Sequence, residues 1–278
     1  MNDRAKRRTL SLGAAVAILL VGVFVVAPRS QDPDYHLFAD TAPLGSVPNA
    51  ANVLSNAAFL AVGLWGLGVI LSRKKGRAFS EPREHRPWAL FFAAMAATAF
   101  GSAYYHWSPT DATLFWDRLP MTVAFTSLVS AVLADRLDAT LARRLFVPLV
   151  AFGLAAVLAW RLLGDLRPYI FLQAASILVV LVATLFFPSR YDDGSWMLGL
   201  LAGYGAALLF ELLDHPVRAA VGLTGGHPLK HLAAAAGTSC VVLMLARRAE
   251  VTFGSRGTDP PPPSGRAPRP GRSQPARS

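Results

Sequence analysis

Eight nearly uncharged stretches constrain this chain more than any other feature, because each is close to the roughly 20 residues that a helix needs to span the hydrocarbon core of a bilayer. They lie at about 9–27, 49–71, 88–106, 114–134, 145–163, 168–187, 195–213 and 227–246. No alternation of apolar and polar residues competes with them, so strands are not expected. Charged residues make up 16% of the chain, against about 25% in an average soluble protein, which is too few to clothe a surface that faces water. The connections are short, so neighbouring helices should run antiparallel. The expected fold is an all-α, polytopic membrane helix bundle.

Charge then orients the bundle. The net charge of +10 is not a footprint for nucleic acid, because the basic residues are dispersed over short connections and the two tails. Placing the N-terminus inside puts sixteen Lys and Arg in the inner segments, including Arg4, Lys6, Arg7 and Arg8 and the group from Arg73 to Arg86. Only Arg29, Arg161, Arg167 and Arg218 fall outside. Inner loops of membrane proteins carry this excess, so both termini are expected in the cytoplasm. The first run follows a basic cluster as a signal peptide would. Cleavage after Ala27 would leave Pro28 as the first residue, so residues 1–30 are read as an uncleaved signal anchor. Residues 31–248 form the membrane domain. From 249, and clearly from about Thr252, Pro, Gly, Ser and Arg dominate, which predicts a disordered tail. The lone Cys240 excludes an internal disulfide and a metal site built on cysteines. Gly199 and Gly203 make a small-xxx-small pair suited to a close helix crossing.

Ionisable residues inside membrane spans are costly and so point to function. Ser102 and His106 stand four apart at the end of the third run, in GSAYYHW. Asp117 opens the fourth, in FWDRLPM, and His227 and His231 stand four apart at the start of the eighth, in GHPLKHL. Residues four apart share a helix face, so His227 and His231 can turn two imidazoles toward one ion, with His106 as the third. Three histidines with one open position form a recurrent catalytic zinc shell. The antiparallel order brings all three clusters to one level near the outer face. Pro228 fits the first turn of the last helix, where a missing N–H costs nothing. Glu211 and Asp214, in FELLDH, are expected to make simple structural pairs or else to hold a histidine N–H or Lys230. His36, His85 and His215 sit in or beside polar loops and are expected to be solvated.

Together, GSAYYHWSPTDATLFWDRLPM, FELLDH and GHPLKHL resemble the alkaline ceramidases, within a superfamily of membrane hydrolases that includes the progestin and adiponectin receptors. VPNAANVLSNAAFLAVGLWGL resembles that family's first core helix through Asn52, Ser55 and Asn56, and the likeness runs in order over about residues 34–246. It implies a seven-helix core with an intramembrane zinc, plus residues 9–27 as an extra N-terminal transmembrane helix. It implies hydrolysis of the amide of a ceramide-like lipid to a sphingoid base and a fatty acid. His106, His227 and His231 become the zinc ligands, Asp117 the acidic residue that orients water or takes its proton, and Ser102 a hydrogen-bond donor at the reacting oxygen. Arg118 and Lys230 stand beside these residues, as structural partners or to steer a polar headgroup. The family's calcium site is not carried over, because Asn49 stands where its acidic residue is expected and the spacing of Asp34 and Asp40 does not reproduce the pattern. Two other readings stay open: a receptor-like or structural relative that holds zinc with little turnover, and a transporter whose buried polar groups line a path.

Overall fold

The computed structural model describes residues 3–73, 78–81, 83–191 and 195–248. The expected tail from 249 and the loop cations Lys74, Lys75 and Arg77 lie outside the described residues. What is described is helical throughout, with no strand among these residues beyond one isolated bridge between Leu44 and Val47. The helices are α1 (Asp3–Val25), α2 (Ala50–Leu54), α3 (Ala57–Arg73), α4 (His85–Trp107), α5 (Asp111–Arg136), α6 (Ala139–Leu163), α7 (Arg167–Phe186), α8 (Trp196–Leu212), α9 (Asp214–Val221) and α10 (Gly226–Arg247).

Each apolar run is helical, with two differences. The second run is interrupted at Ser55–Asn56. There the short polar side chains turn back onto the backbone: the Asn56 amide donates to the Asn52 carbonyl at 2.8 Å and the Ser55 hydroxyl to the same carbonyl at 3.1 Å. Such local bonds compete with a continuous helical ladder. The seventh run stops at Leu212, and the chain bends by 79° into α9, a short helix not foreseen.

The surface is inverted relative to a soluble protein. Leu64, Leu71, Phe100, Val147, Leu185 and Leu212 are exposed, while Thr122, Thr126, Ser127 and Ser130 of α5 are buried. An apolar exterior of this extent needs lipid or a partner to cover it. Five helical segments among the described residues are long and apolar enough to cross a membrane, or six if α8 and α9 form one bent span. They are α1, α2 with α3, α6, α7 and α10. Two expected spans, α4 and α5, fall short of that apolarity because they carry Ser102, Tyr104, Tyr105 and His106, and Asp117 and Arg118. The polar site residues lower the hydropathy of the helices that hold them.

Helix α5 packs on α4, α6 and α7, while α10 packs on α8 and α3. At α8–α10 a Cβ on Gly203 would meet the Gly237 backbone, so small residues set this crossing as the sequence pattern proposed. Helix α1 leans on α7, where the Arg8 guanidinium donates to the Phe186 carbonyl at 2.6 Å and that of Arg167 to Val26 at 2.7 Å. The ends of α4, α5 and α10 remote from the histidines are tied by buried charge. Arg248 pairs with Asp135, Arg190 with Glu84, and the Tyr191 hydroxyl donates to Glu84 at 2.6 Å. Burial, and then that bond, push the Tyr191 phenol up to about 12, so it stays a donor. Pairing at one end fixes the relative heights of these three helices, and so the heights of the residues at their other end.

Candidate metal centre

His106 closes α4, and His227 and His231 open α10. Their rings meet, with centroids 4.8 Å apart for His106–His227, 5.1 Å for His106–His231 and 5.0 Å for His227–His231. One nitrogen from each lies within 4.8 Å of the others, and all three residues are buried. Glycine at 226 is required, because a Cβ there would collide with the Phe210 carbonyl and with Asp214. The start of α10 thus presses into the break between α8 and α9, and the His227 amide donates to the Asp214 carboxylate at 2.8 Å.

Hydrogen bonds prepare these rings for a cation. Both nitrogens of His106 are buried without a partner, an expensive state for polar atoms. Three converging imidazoles with such an orphaned member could hold a metal ion, and they are the nitrogen donors that a transition metal takes. His231 Nδ1 lies 2.7 Å from the Ser55 hydroxyl. That hydroxyl has one proton, which it gives to the Asn52 carbonyl. It can then accept from His231, an arrangement that puts the imidazole proton on Nδ1 and leaves the Nε2 lone pair for an ion. The Asn49 amide donates to the His106 carbonyl at 2.8 Å, and Phe38 covers the rings of His106 and His227 at 4.7 and 4.6 Å. Ser55 entered the sequence analysis only as part of a resemblance; its contact with His231 depends on the break after α2, which no periodicity announces.

Asp117 stands beside this group on α5. A Cβ on Gly101 would strike the Trp116 carbonyl, so α4 and α5 meet backbone to backbone there, which brings Ser102 and Asp117 to one site. Ser102, Asp117 and His231 all line one cavity of about 370 Å³. Lys230 and Glu211, also lining it, pair at 2.7 Å as anticipated. Tyr35 joins them, its hydroxyl 3.3 Å from the same carboxylate oxygen; burial raises this phenol and keeps its proton. The other wall is apolar, with Phe91, Met95, Leu128 and Leu200. Asp117 and Leu128 on α5 are eleven residues apart, about 16 Å of helix, so the cavity runs from a polar end into the depth of the bundle.

Three expectations change in detail. Asp214 binds backbone rather than an imidazole, accepting also from the Ala39 amide at 2.9 Å; it fastens the segment that carries Phe38. His36 is not simply solvated, since its Nδ1 lies 2.9 Å from the Tyr105 hydroxyl and its Nε2 3.2 Å from Asp111. His85 is half-buried against Phe79, whereas His215 is exposed, its Nε2 3.3 Å from the Leu37 carbonyl. Of the residues weighed for calcium, Asp34 is exposed, Asp40 lies 3.7 Å from Arg218, and Asn49 serves His106. Compared with known proteins, the chain matches no family model, no curated protein and no solved structure.

Proposed function

We propose that this protein is a multi-pass membrane hydrolase that cleaves the amide of a ceramide-like lipid, with zinc held by His106, His227 and His231. In this reading it is a member of the alkaline ceramidase group, with a seven-helix core preceded by α1 and both termini in the cytoplasm. The observation that carries the reading is a buried histidine triad opening, through His231, onto a cavity with an acid at its polar end and an apolar wall running inward. Zinc, when bound by three neutral imidazoles, would supply a Lewis acid and activate water near neutral pH.

The chain's own groups account for the rest. The apolar wall takes the acyl chain and leaves the amide at the polar end. Asp117 accepts a proton from the water that adds to the amide carbonyl and delivers it to the nitrogen as the C–N bond breaks, while Ser102 donates a hydrogen bond to the reacting oxygen. The products are a carboxylic acid and an amine, with the proton conserved. Phe38 excludes bulk water from the imidazoles. The test is metal content and product release on one purified preparation, screened against lipid amides. Stoichiometric zinc with fatty acid release from a lipid amide is expected. Zinc without turnover on any lipid amide would favour the receptor-like reading, and absence of zinc at saturating supply would overturn both.

A further inference from the structure

Arg118 is a cavity charge that the polar contacts of the site leave unused. It is 5% exposed, it lines the cavity, and its Nη1 is buried without a hydrogen-bond partner. The neighbouring Glu211 is committed to Lys230 and Tyr35. Among the described residues no carboxylate makes an ion pair with Arg118. Its guanidinium instead stands in an aromatic box, with Cζ 4.4 Å from the Trp160 ring, 4.7 Å from Tyr169 and 5.4 Å from Tyr35. Aromatic faces stabilise a cation, but they do so much less than burial away from water destabilises it. They also hold the plane still, while the hydrogen-bond donors of a guanidinium lie along its edge and match a carboxylate or phosphate.

From this we infer that Arg118 binds an acidic group, a carboxylate or a phosphate, on the amine half of the lipid, and so selects acidic lipid amides over neutral ones. The inference rests on the lipid-amide reading above and narrows its substrate. The assignment to the amine half follows from the cavity: its apolar wall leads inward from the polar end, and Arg118 lies at that polar end next to Asp117. An acyl chain lying along Met95 and Leu128 leaves the other side of the amide facing the guanidinium.

Binding, rather than turnover, tests this. The full chain in detergent micelles is titrated with N-oleoylglycine, with the phosphate ester of N-oleoylethanolamine, with neutral N-oleoylethanolamine and with oleate. The wild type should bind at least one of the two acidic amides about 30-fold or more tightly than the neutral amide, the scale set by losing one partner of a buried charge pair. The tighter of the two identifies the carboxylate or the phosphate as the natural group. Arg118→Met keeps a long apolar stem inside the aromatic box and should erase the preference while neutral N-oleoylethanolamine binds as before, which also shows that the variant is folded. Arg118→Lys should restore only part of it, because a point charge lacks the planar fork. Equal binding of neutral and acidic amides by wild type would overturn the proposal, as would a preference that survives in Arg118→Met. Oleate binding as tightly as the acidic amides, with the same dependence on Arg118, would move the contact to the acyl half and overturn it too. Failure of the hydrolysis reading looks different: the acidic preference persists while no amide is cleaved.

Discussion

Ser55→Ala should weaken metal binding without touching a ligand. The wild-type hydroxyl lies 2.7 Å from His231 Nδ1, where it can accept the ring proton, and His231 is only 2% exposed, so water cannot easily replace it. With zinc bound, Nε2 is committed to the ion and the proton must stay on Nδ1. In the variant that proton has no acceptor, and a buried unpartnered donor costs about 1–3 kcal/mol. Without metal the ring can adopt its other tautomer and escape part of this cost, so the penalty falls mainly on the bound state. The affinity should drop by roughly 10- to 100-fold, the range seen when a hydrogen-bond partner of a metal-binding histidine is removed. Competition for zinc against a chelator of known affinity measures it on purified protein, with Ser55→Thr as the control that keeps a hydroxyl. A Ser55→Ala affinity within about threefold of wild type, while His231→Ala loses the metal, would refute the tautomer assignment.

The histidine triad itself predicts that His227→Ala with His231→Ala abolishes bound zinc, read by metal analysis; undiminished zinc would place the ion elsewhere. Gly101→Val should destabilise the protein by about 2 kcal/mol or more, since α4 and α5 must separate where they touch, and a thermal shift in detergent measures it; an unchanged midpoint would mean that the two backbones do not meet there. Reporter fusions at both ends should report cytoplasm, and a C-terminal fusion active only outside would reverse the topology.

The fold was legible wherever hydrophobic length alone decides it. Each of the eight apolar runs is helical, and α4, α5 and α10 bring their marked residues to one end, as antiparallel order requires. The triad was legible because helical spacing fixes His227 against His231 and chain direction fixes His106 against both. The break at Ser55–Asn56, the turn into α9 and the close approach at Gly101 were not. The break is decided by local side-chain bonds to the Asn52 carbonyl, and the other two by contacts between segments far apart in sequence, such as the Asp214 carboxylate accepting from the Ala39 amide at 2.9 Å. Roles that depend on those contacts, those of Ser55, Phe38 and Asp214, were hidden for the same reason.

Asp117→Asn separates chemistry from metal retention. The change keeps the size and planar shape of the side chain, so the cavity should keep its shape. It removes the only feature the proposed step needs, a carboxylate that can take a proton from water and return it to the departing amine. Since Asp117 is outside the group of converging nitrogens, zinc content should hold near the wild-type level. Turnover should fall by a factor of about 10² or more, the usual scale for a general base. Ser102→Ala should cost less, because the carboxylate remains and only one hydrogen bond to the reacting oxygen is lost. Both variants need zinc and product release measured on the same preparation, against a substrate that wild type cleaves. Full activity in Asp117→Asn would remove proton transfer from this residue. Loss of zinc as complete as in the histidine variants would instead make Asp117 part of the metal's support, and the proton would have to travel by another group.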